Sequence, residues 1–491
     1  VSSPTPSPEA ADEPRSPTDA ETTGAATTGA ATTGTATTGT ATTGTATAEA
    51  ATMPGGEPPA VASADRPTWR RDVTIFLSGQ TVSLFGSMLV QYAVLWHLTL
   101  VTQSGAVLAI SSVVGFLPQA VVSIFGGVWA DRLDRKKLIM GADAVIAATT
   151  LALALLMASG MDDLWLIYVA LAIRSAGAGI QTPAVAALLP QIVPTDKLMR
   201  VNGINGSIQS AMMLLAPAVA AALYASFSIV AVFFVDVVTA VVGIGLLSVL
   251  TVPRIVRSAE GPVGYFDDLV GGLRYVASHG FVRWVLGLYA VVFLLIVAPS
   301  YLTPLMVVRT FGDEVWKLTV NELAFSIGML LGGILIAAWS PKNRVSLLLG
   351  STVVFGAQSV AMGFSTNMWV FFALMFSLGL AVPYFATPSM TVLQETVEPE
   401  MQGRVFGFVG IVMAVSMPIG MAVFGPLADT FTVQSLLVAA GLALFVVVGL
   451  ALALPSGRRA LASARTSTGD GAAAAAERPT SDVGAEAAGG R

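Results

Sequence analysis

The chain has 491 residues, 54% hydrophobic and 11% charged, with a mean hydropathy of +0.76 and no cysteine. Soluble globular proteins carry about 25% charged residues, so this composition excludes one, and the missing cysteine excludes disulfides, thiolate metal centres, iron–sulfur clusters and thiol catalysis. The net charge of −5 sits at one end: residues 1–65 hold eight acids and one base, residues 66–454 eighteen acids and nineteen bases, and nothing marks a basic nucleic-acid surface.

Residues 1–66 are Thr, Ala, Gly, Pro and Ser, with an Ala-Thr-Thr-Gly type repeat from about Thr22 to Thr47. They carry too little apolar surface to offset the entropy of ordering and read as a disordered tail. They also lack the basic start and apolar run of a secretory leader. Residues 455–491, with an Ala run at 472–476, read the same way.

Between the tails, apolar stretches long enough to cross a bilayer recur twelve times. They fall at about 74–100, 105–130, 138–159, 163–188, 201–226, 228–250, 284–307, 318–339, 345–365, 369–392, 404–427 and 431–454. Barrel strands would be about ten residues long and strictly alternating. The expected fold is therefore an all-α membrane protein of twelve transmembrane helices in two six-helix bundles, 67–250 and 284–454, joined by a linker at 251–283.

Lys and Arg placement orients that topology. Loops on the side of the tails hold Arg132, Arg135, Lys136, Lys137, Lys197, Arg200, Arg254, Arg257, Arg274, Lys342, Arg344 and Arg404, with Arg70 and Arg71 before the first span and Arg458 and Arg459 after the last. The opposite loops hold Arg309 and Lys317. Positive charge stays inside, which predicts a plasma-membrane protein with both ends cytoplasmic. All eight tryptophans, at Trp69, Trp96, Trp129, Trp165, Trp284, Trp316, Trp339 and Trp369, lie near span ends, where indole suits the headgroup layer. In the linker, Phe266, Leu269, Val270, Leu273 and Val276 recur at helical spacing opposite Asp267, Asp268 and Arg274, which predicts an amphipathic surface helix.

The halves echo each other. Val193, Arg200, Val201 and Gly203 recur at a constant offset as Val397, Arg404, Val405 and Gly407, each set following a Thr-Pro pair. Transporters are commonly built from such repeats, with the solute path between them.

The densest motif follows span two: Gly126-Gly127-Val128-Trp129-Ala130-Asp131-Arg132-Leu133-Asp134-Arg135-Lys136-Lys137. The glycines permit close helix approach. Asp131 suits a helix N-terminus or a cation. Arg135, Lys136 and Lys137 suit acids or lipid phosphates. This segment resembles the loop 2–3 signature of the major facilitator superfamily, with Asp134 where that family usually has Gly. The resemblance covers about residues 70–454. It is nearest the drug-efflux branch that includes macrolide and enterobactin-type siderophore exporters, through Gly79-Gln80 with Ser83 and Gly86, Arg174 with Gly177 and Pro183, the Phe-Phe-Val-Asp236 stretch, and the stretch from Gln394 to Gly407. Span five departs from the branch, reading Ala216-Pro217 and Ala220-Ala221 where exporters often have glycines. The resemblance implies a gating role for Gly126, Gly127, Asp131, Arg132, Arg135 and Lys136, and a coupling role for Arg174.

Ionisable residues inside spans are costly and point to function. Arg174 lies near mid-depth of span four, with Asp143 of span three as a possible structural partner. Asp143 is equally a support for loop 2–3. Asp236 in span six is a proton or substrate contact, and Glu322 in span eight lines an outer vestibule or is merely solvated. His97 reads as an interfacial side chain. Prolines 118, 217, 299, 304, 383 and 418 interrupt spans. Met212, Met213, Phe293, Phe325 and Tyr384 are candidates for an apolar cavity wall. No nucleotide-binding loop, metalloprotease or nucleophile-elbow motif occurs, so no enzyme, cofactor, metal or nucleotide is expected. The reading is a monomeric exporter of hydrophobic or amphiphilic small molecules, such as macrolide-like drugs or siderophores, working by proton antiport with alternating access. An importer of the same fold and a membrane scaffold or sensor are the alternatives.

Overall fold

A computed structural model describes residues 68–252, 265–339 and 343–453. The tails, Arg254, Arg257, Lys342, Arg458 and Arg459 lie outside the described residues, as do the side chains of Phe266, Asp267, Asp268 and Leu269.

Among the described residues the chain is helical, without strands. The first half comprises α1 (Trp69–Thr102), α2 (Gly105–Arg132), α3 (Arg135–Ala158), α4 (Leu164–Ile192), α5 (Leu198–Ser226) and α6 (Ile229–Val249). The linker helix α7 (Tyr265–Ser278) leads to α8 (Gly280–Tyr301) and α9 (Thr303–Phe311), which together make the seventh span. Then come α10 (Val315–Ala338), α11 (Arg344–Phe364), α12 (Met368–Thr396), α13 (Pro399–Thr430) and α14 (Val433–Ala453). Among the described residues twelve segments are long and apolar enough to cross a membrane, matching the twelve read from the sequence. An even count puts the start of α1 and the end of α14 on one face, the terminal face; the other is the far face.

Polar caps define where helices begin. Asp134 accepts from the Lys137 amide at 3.2 Å and starts α3. Asn343 does so for α11 and Asn367 for α12. In the seventh span Leu302 separates α8 from α9, and Pro304 sits in the first turn of α9, where its missing N–H is harmless. The single span expected at 284–307 is thus two helices. Pro118, Pro217, Pro383 and Pro418 remain inside continuous helices.

Lipid supplies no hydrophobic drive between helices, so packing depends on how closely backbones approach. On α1, Gly79, Ser83 and Gly86 follow helical spacing and meet α6: a methyl at Gly86 would collide with Thr239 and Asp236, and one at Gly79 would press on Gly243. In the second half, Gly356 meets Gly441, and Gly328 and Gly332 lie against the α12 backbone. The expected glycine pair of loop 2–3 divides. Gly126 is buried, and an added Cβ would stand 2.5 Å from the Gly179 carbonyl oxygen of α4. Gly127 faces open space.

The repeat between the halves is structural. Val193 ends α4 and Val397 ends α12, both as buried C-cap residues; Val201 and Val405 are buried near the starts of α5 and α13. Helix α7 rests on α13 through Gly271 and Gly272, beside Arg404 and Phe408, with Val270 and Leu273 exposed. The tryptophan reading needs one correction. Trp129, Trp165, Trp316, Trp339 and Trp369 are exposed on the protein surface, but Trp96 is 1% exposed. It packs beside Tyr92 in the core of a helix that contacts α5, α6 and α9.

Gly126→Ala is expected to lower thermal stability in detergent by about 1–3 kcal/mol, the usual cost of overpacking. Gly127→Ala should stay within about 0.5 kcal/mol of the parent. Equal melting shifts for the two variants would show that α2 and α4 do not meet as described.

Candidate functional site

The first half carries an ion pair in its interior. Asp236 of α6 is fully buried and Arg174 of α4 nearly so, and Arg174 Nη1 donates to Asp236 Oδ2. Thr150 Oγ1 of α3 stands 3.0 Å from the same oxygen and also receives Arg174. Ser87 of α1 donates to Oδ1 at 3.4 Å. One carboxylate of α6 therefore gathers groups from three other helices. The small residues of the α1–α6 seam let this happen, because Asp236 lies directly against Gly86.

Asp143 is not the partner of Arg174, contrary to the alternative raised from the sequence. It is buried on α3, two turns from Thr150, and accepts from Gln181 Nε2 of α4. Arg174 lies two turns from Gln181 on the same helix, so α3 and α4 are tied at two levels. The sequence reading missed Thr150, Ser87 and Gln181; neutral polar residues inside apolar spans were the signal available for them.

Glu322 of α10 is not merely solvated. It accepts from the Tyr92 hydroxyl of α1 at 3.3 Å, a contact between the two halves. Its neighbour Asn321 is buried and donates to Thr303 of α9 at 3.4 Å. His97 is no simple interfacial group, since its Nδ1 lies 3.0 Å from the Tyr224 hydroxyl of α5.

The loop after α2 is a clamp on the first half. Arg135 donates to the Ala130 carbonyl at the end of α2 and to the Ala187 carbonyl of α4, both at 2.8 Å. Lys136 donates to Ser248 and Leu250 at the end of α6, at 2.6 and 2.7 Å. The partners expected for these cations were acids or lipid phosphates. Arg135 does reach an acid, Asp131, and both Arg135 and Lys136 also bind helix carbonyl ends, which attract cations through unpaired acceptors and the helix dipole. Asp131 is 76% exposed, with Arg135 3.5 Å away, and Arg132 is exposed. Asp134, where the resembled family has Gly, is explained by its capping of α3.

The cavity candidates fall into separate groups. Phe293 stacks on Tyr289 at 4.5 Å and neighbours Phe385, whereas Tyr384 lies beside Trp339. The Phe325 backbone packs on Gly379 of α12. Met212 and Met213 are half-buried on α5. Among the described residues no cluster of His, Asp and Glu suited to a metal ion occurs.

Twelve membrane helices in two halves, with a buried charge network in one of them, define a membrane transporter. The Major Facilitator Superfamily pattern matches residues 73–421 and 316–483. Macrolide efflux protein A of Streptococcus pyogenes is 31% identical over 375 residues, covering 74% of this chain and 91% of that protein. Multidrug resistance protein MdtG of Enterobacter lignolyticus (strain SCF1) is 25% identical over 374 residues, covering 70% and 83%. In fold, the chain is similar to a POT family transporter in complex with a thioalcohol-conjugated peptide, with a TM-score of 0.64 at 10% identity over 80% of this chain and 98% of that one. It is also similar to a bacterial homolog of the human lysosomal transporter Spinster, with a TM-score of 0.60 at 14% identity over 82% and 98%. The chain belongs to the major facilitator superfamily and is a multi-pass membrane transporter.

Removing one member of a buried ion pair costs about 3–5 kcal/mol, because the other charge is left uncompensated. Arg174→Met should therefore destabilise the protein strongly, and Arg174→Met with Asp236→Leu should recover most of the loss in a detergent melt. A double variant no more stable than the single one would show that the pair is not one energetic unit.

Proposed function

We propose that this transporter exports hydrophobic or amphiphilic small molecules, of macrolide-like or siderophore-like character, from the cytoplasm in exchange for protons. The observation that carries this reading is the buried network of Arg174, Asp236 and Thr150. A charge in the membrane interior defaults to a functional role. Here a carboxylate of α6 meets groups from three other helices, so its protonation would release Arg174 and alter how α1, α3, α4 and α6 are held together. The relatedness to macrolide efflux protein A and to MdtG supports efflux as the direction and drugs as the cargo.

The protein sits in the plasma membrane as a monomer with its terminal face in the cytoplasm. The cluster of Arg and Lys there supports that orientation. Alternating access moves the solute: the clamped first half rocks against the second around a central path. Loop 2–3 acts as the latch on the cytoplasmic side through Asp131, whose exposed carboxylate meets a helix end when that side closes. Asp143, Asp236 and Glu322 are the acids available for proton exchange. Met212, Met213, Phe293, Phe325 and Tyr384 contribute apolar surface to the path. Energetically one proton suffices for modest accumulation, since it brings about 2.3 kcal/mol per 100 mV and about 1.4 kcal/mol per pH unit. No chemical transformation of the solute is assigned.

Cells expressing the chain should extrude a macrolide and a lipophilic dye, and a protonophore should abolish extrusion. Asp236→Asn and Arg174→Gln should each lose proton-driven extrusion per molecule, with rates normalised to the amount at the surface, while Asp131→Asn should slow flux more than it weakens solute binding. Extrusion indifferent to the protonophore would remove the coupling reading, and uptake in place of extrusion would reverse the direction.

A further inference from the structure

The two halves meet unevenly. On the far face Asp429, at the end of α13, reaches across to α2. Its carboxylate accepts from the Gly105 amide at 2.7 Å, the Ala106 amide at 2.9 Å and the Ser104 hydroxyl at 2.8 Å. Arg309 of α9 donates to Asp429 at 2.9 Å and to the Gln103 carbonyl at 3.1 Å. Gln103 is the one described non-glycine residue with a positive φ, 46°, and that bend turns its carbonyl toward Arg309. Beneath this contact the backbones are nearly touching: a Cβ on Gly105 would collide with the Gly425 carbonyl oxygen. Toward the terminal face the contact is not repeated at the equivalent glycines: a Cβ on Gly127 of α2 or on Gly407 of α13 would meet nothing within 4 Å. Helix α5 likewise buries Ala216, Pro217, Ala220 and Ala221 near its far end, while Asn202, Gly203 and Ile204 are exposed at the other.

Helices α2 and α13 run antiparallel, so the C-terminus of each lies beside the N-terminus of the other. Both end in the same pattern, Gly127-Val128-Trp129-Ala130-Asp131 on α2 and Gly425-Pro426-Leu427-Ala428-Asp429 on α13. The glycine permits approach and the acid, four residues on, meets the partner helix at its positive end. In this structure the far-face copy is engaged and the terminal-face copy is not.

We propose that Asp429 and Arg309 are positioning residues for transport: they form the far-face latch of the cycle, and α2 and α13 act as a two-ended toggle in which only one acid caps its partner at a time. Asp429 supplies the helix cap. Arg309 holds that carboxylate in place and ties α9 and the Gln103 turn to it. The proposal rests on alternating access, and it assigns to the far face a closing contact separate from the ion pair of Arg174 and Asp236.

The chain has no cysteine, so single reporters can be read directly. Ser112 lies on the same face of α2 as Gly105 and Ala109, and Ser112→Cys is nearly isosteric. Gly407 has open space for a side chain on the terminal side of α13. A membrane-impermeant maleimide applied to the far face of the full chain in right-side-out vesicles should label Ser112→Cys slowly. Adding Asp429→Asn should raise that rate about fivefold to tenfold, the scale of losing one charge-assisted cap in a two-state equilibrium. The same substitution should lower labelling of Gly407→Cys from the terminal face in inverted vesicles. Arg309→Gln should act in the same directions, and Asp429→Glu should stay close to the parent. Unchanged labelling of Ser112→Cys would overturn the latch, and so would a rise at both reporters, which marks loosened packing instead of a shift between states. The labelling needs neither solute nor proton gradient. Failed extrusion with reciprocal labelling intact would therefore count against the export reading alone.

Discussion

A charged group inside lipid has no water to turn to, and the buried acids of this structure answer that constraint. Arg174 and Asp236 satisfy each other, with Thr150 and Ser87 taking up remaining hydrogen-bonding capacity. Asp143 is met by Gln181, and Glu322 by Tyr92. These partners come from different helices, so satisfying the charge also fixes the bundle. Such a pair is weak evidence for net stability, because desolvation offsets much of the attraction. It is better understood as specifying which helices must be neighbours for the charges to be tolerated.

Close approach is the second half of the same argument. Backbones that nearly touch let short side chains such as Asp236 and Thr150 reach one another. On α1 the seam of Gly79, Ser83 and Gly86 brings Asp236 within reach of Ser87. Between the halves, Gly105 and Gly425 let the carboxylate of Asp429 enter the first turn of α2. Loop 2–3 then acts within its own half. Arg135 and Lys136 bind the ends of α2, α4 and α6, which ties those helix ends together.

The fold was legible because hydrophobic length is a one-dimensional signal. The twelve stretches needed no knowledge of neighbours, and the repeated Val193 and Val397 segments fell at equivalent helix junctions. Partners were less legible, since a helix's rotation is set by packing. Arg174 was visible as a buried charge, yet nothing in spacing alone distinguished Asp236 from Asp143 as its partner. Trp96 sits near a span end like the other tryptophans, but it is buried, so a position that suits the interface holds a core side chain. Arg309 could be counted as a loop charge without showing that it reaches Gln103, some two hundred positions away, since that contact exists only when the halves meet.

The capped and uncapped ends of the α2 and α13 pair explain how modest energies could govern a large motion. A helix cap or a single ion pair is worth about 1–3 kcal/mol, small against the packing of either half but comparable to the energy one proton delivers. A contact much stronger than that would hold one state permanently, and a much weaker one would let both faces open together. Placing the closing contacts at helix ends, away from the close-packed seams within each half, lets the halves separate without disturbing Arg174 and Asp236. In the proposed cycle the interior pair would respond to protonation while the ends decide which face is shut.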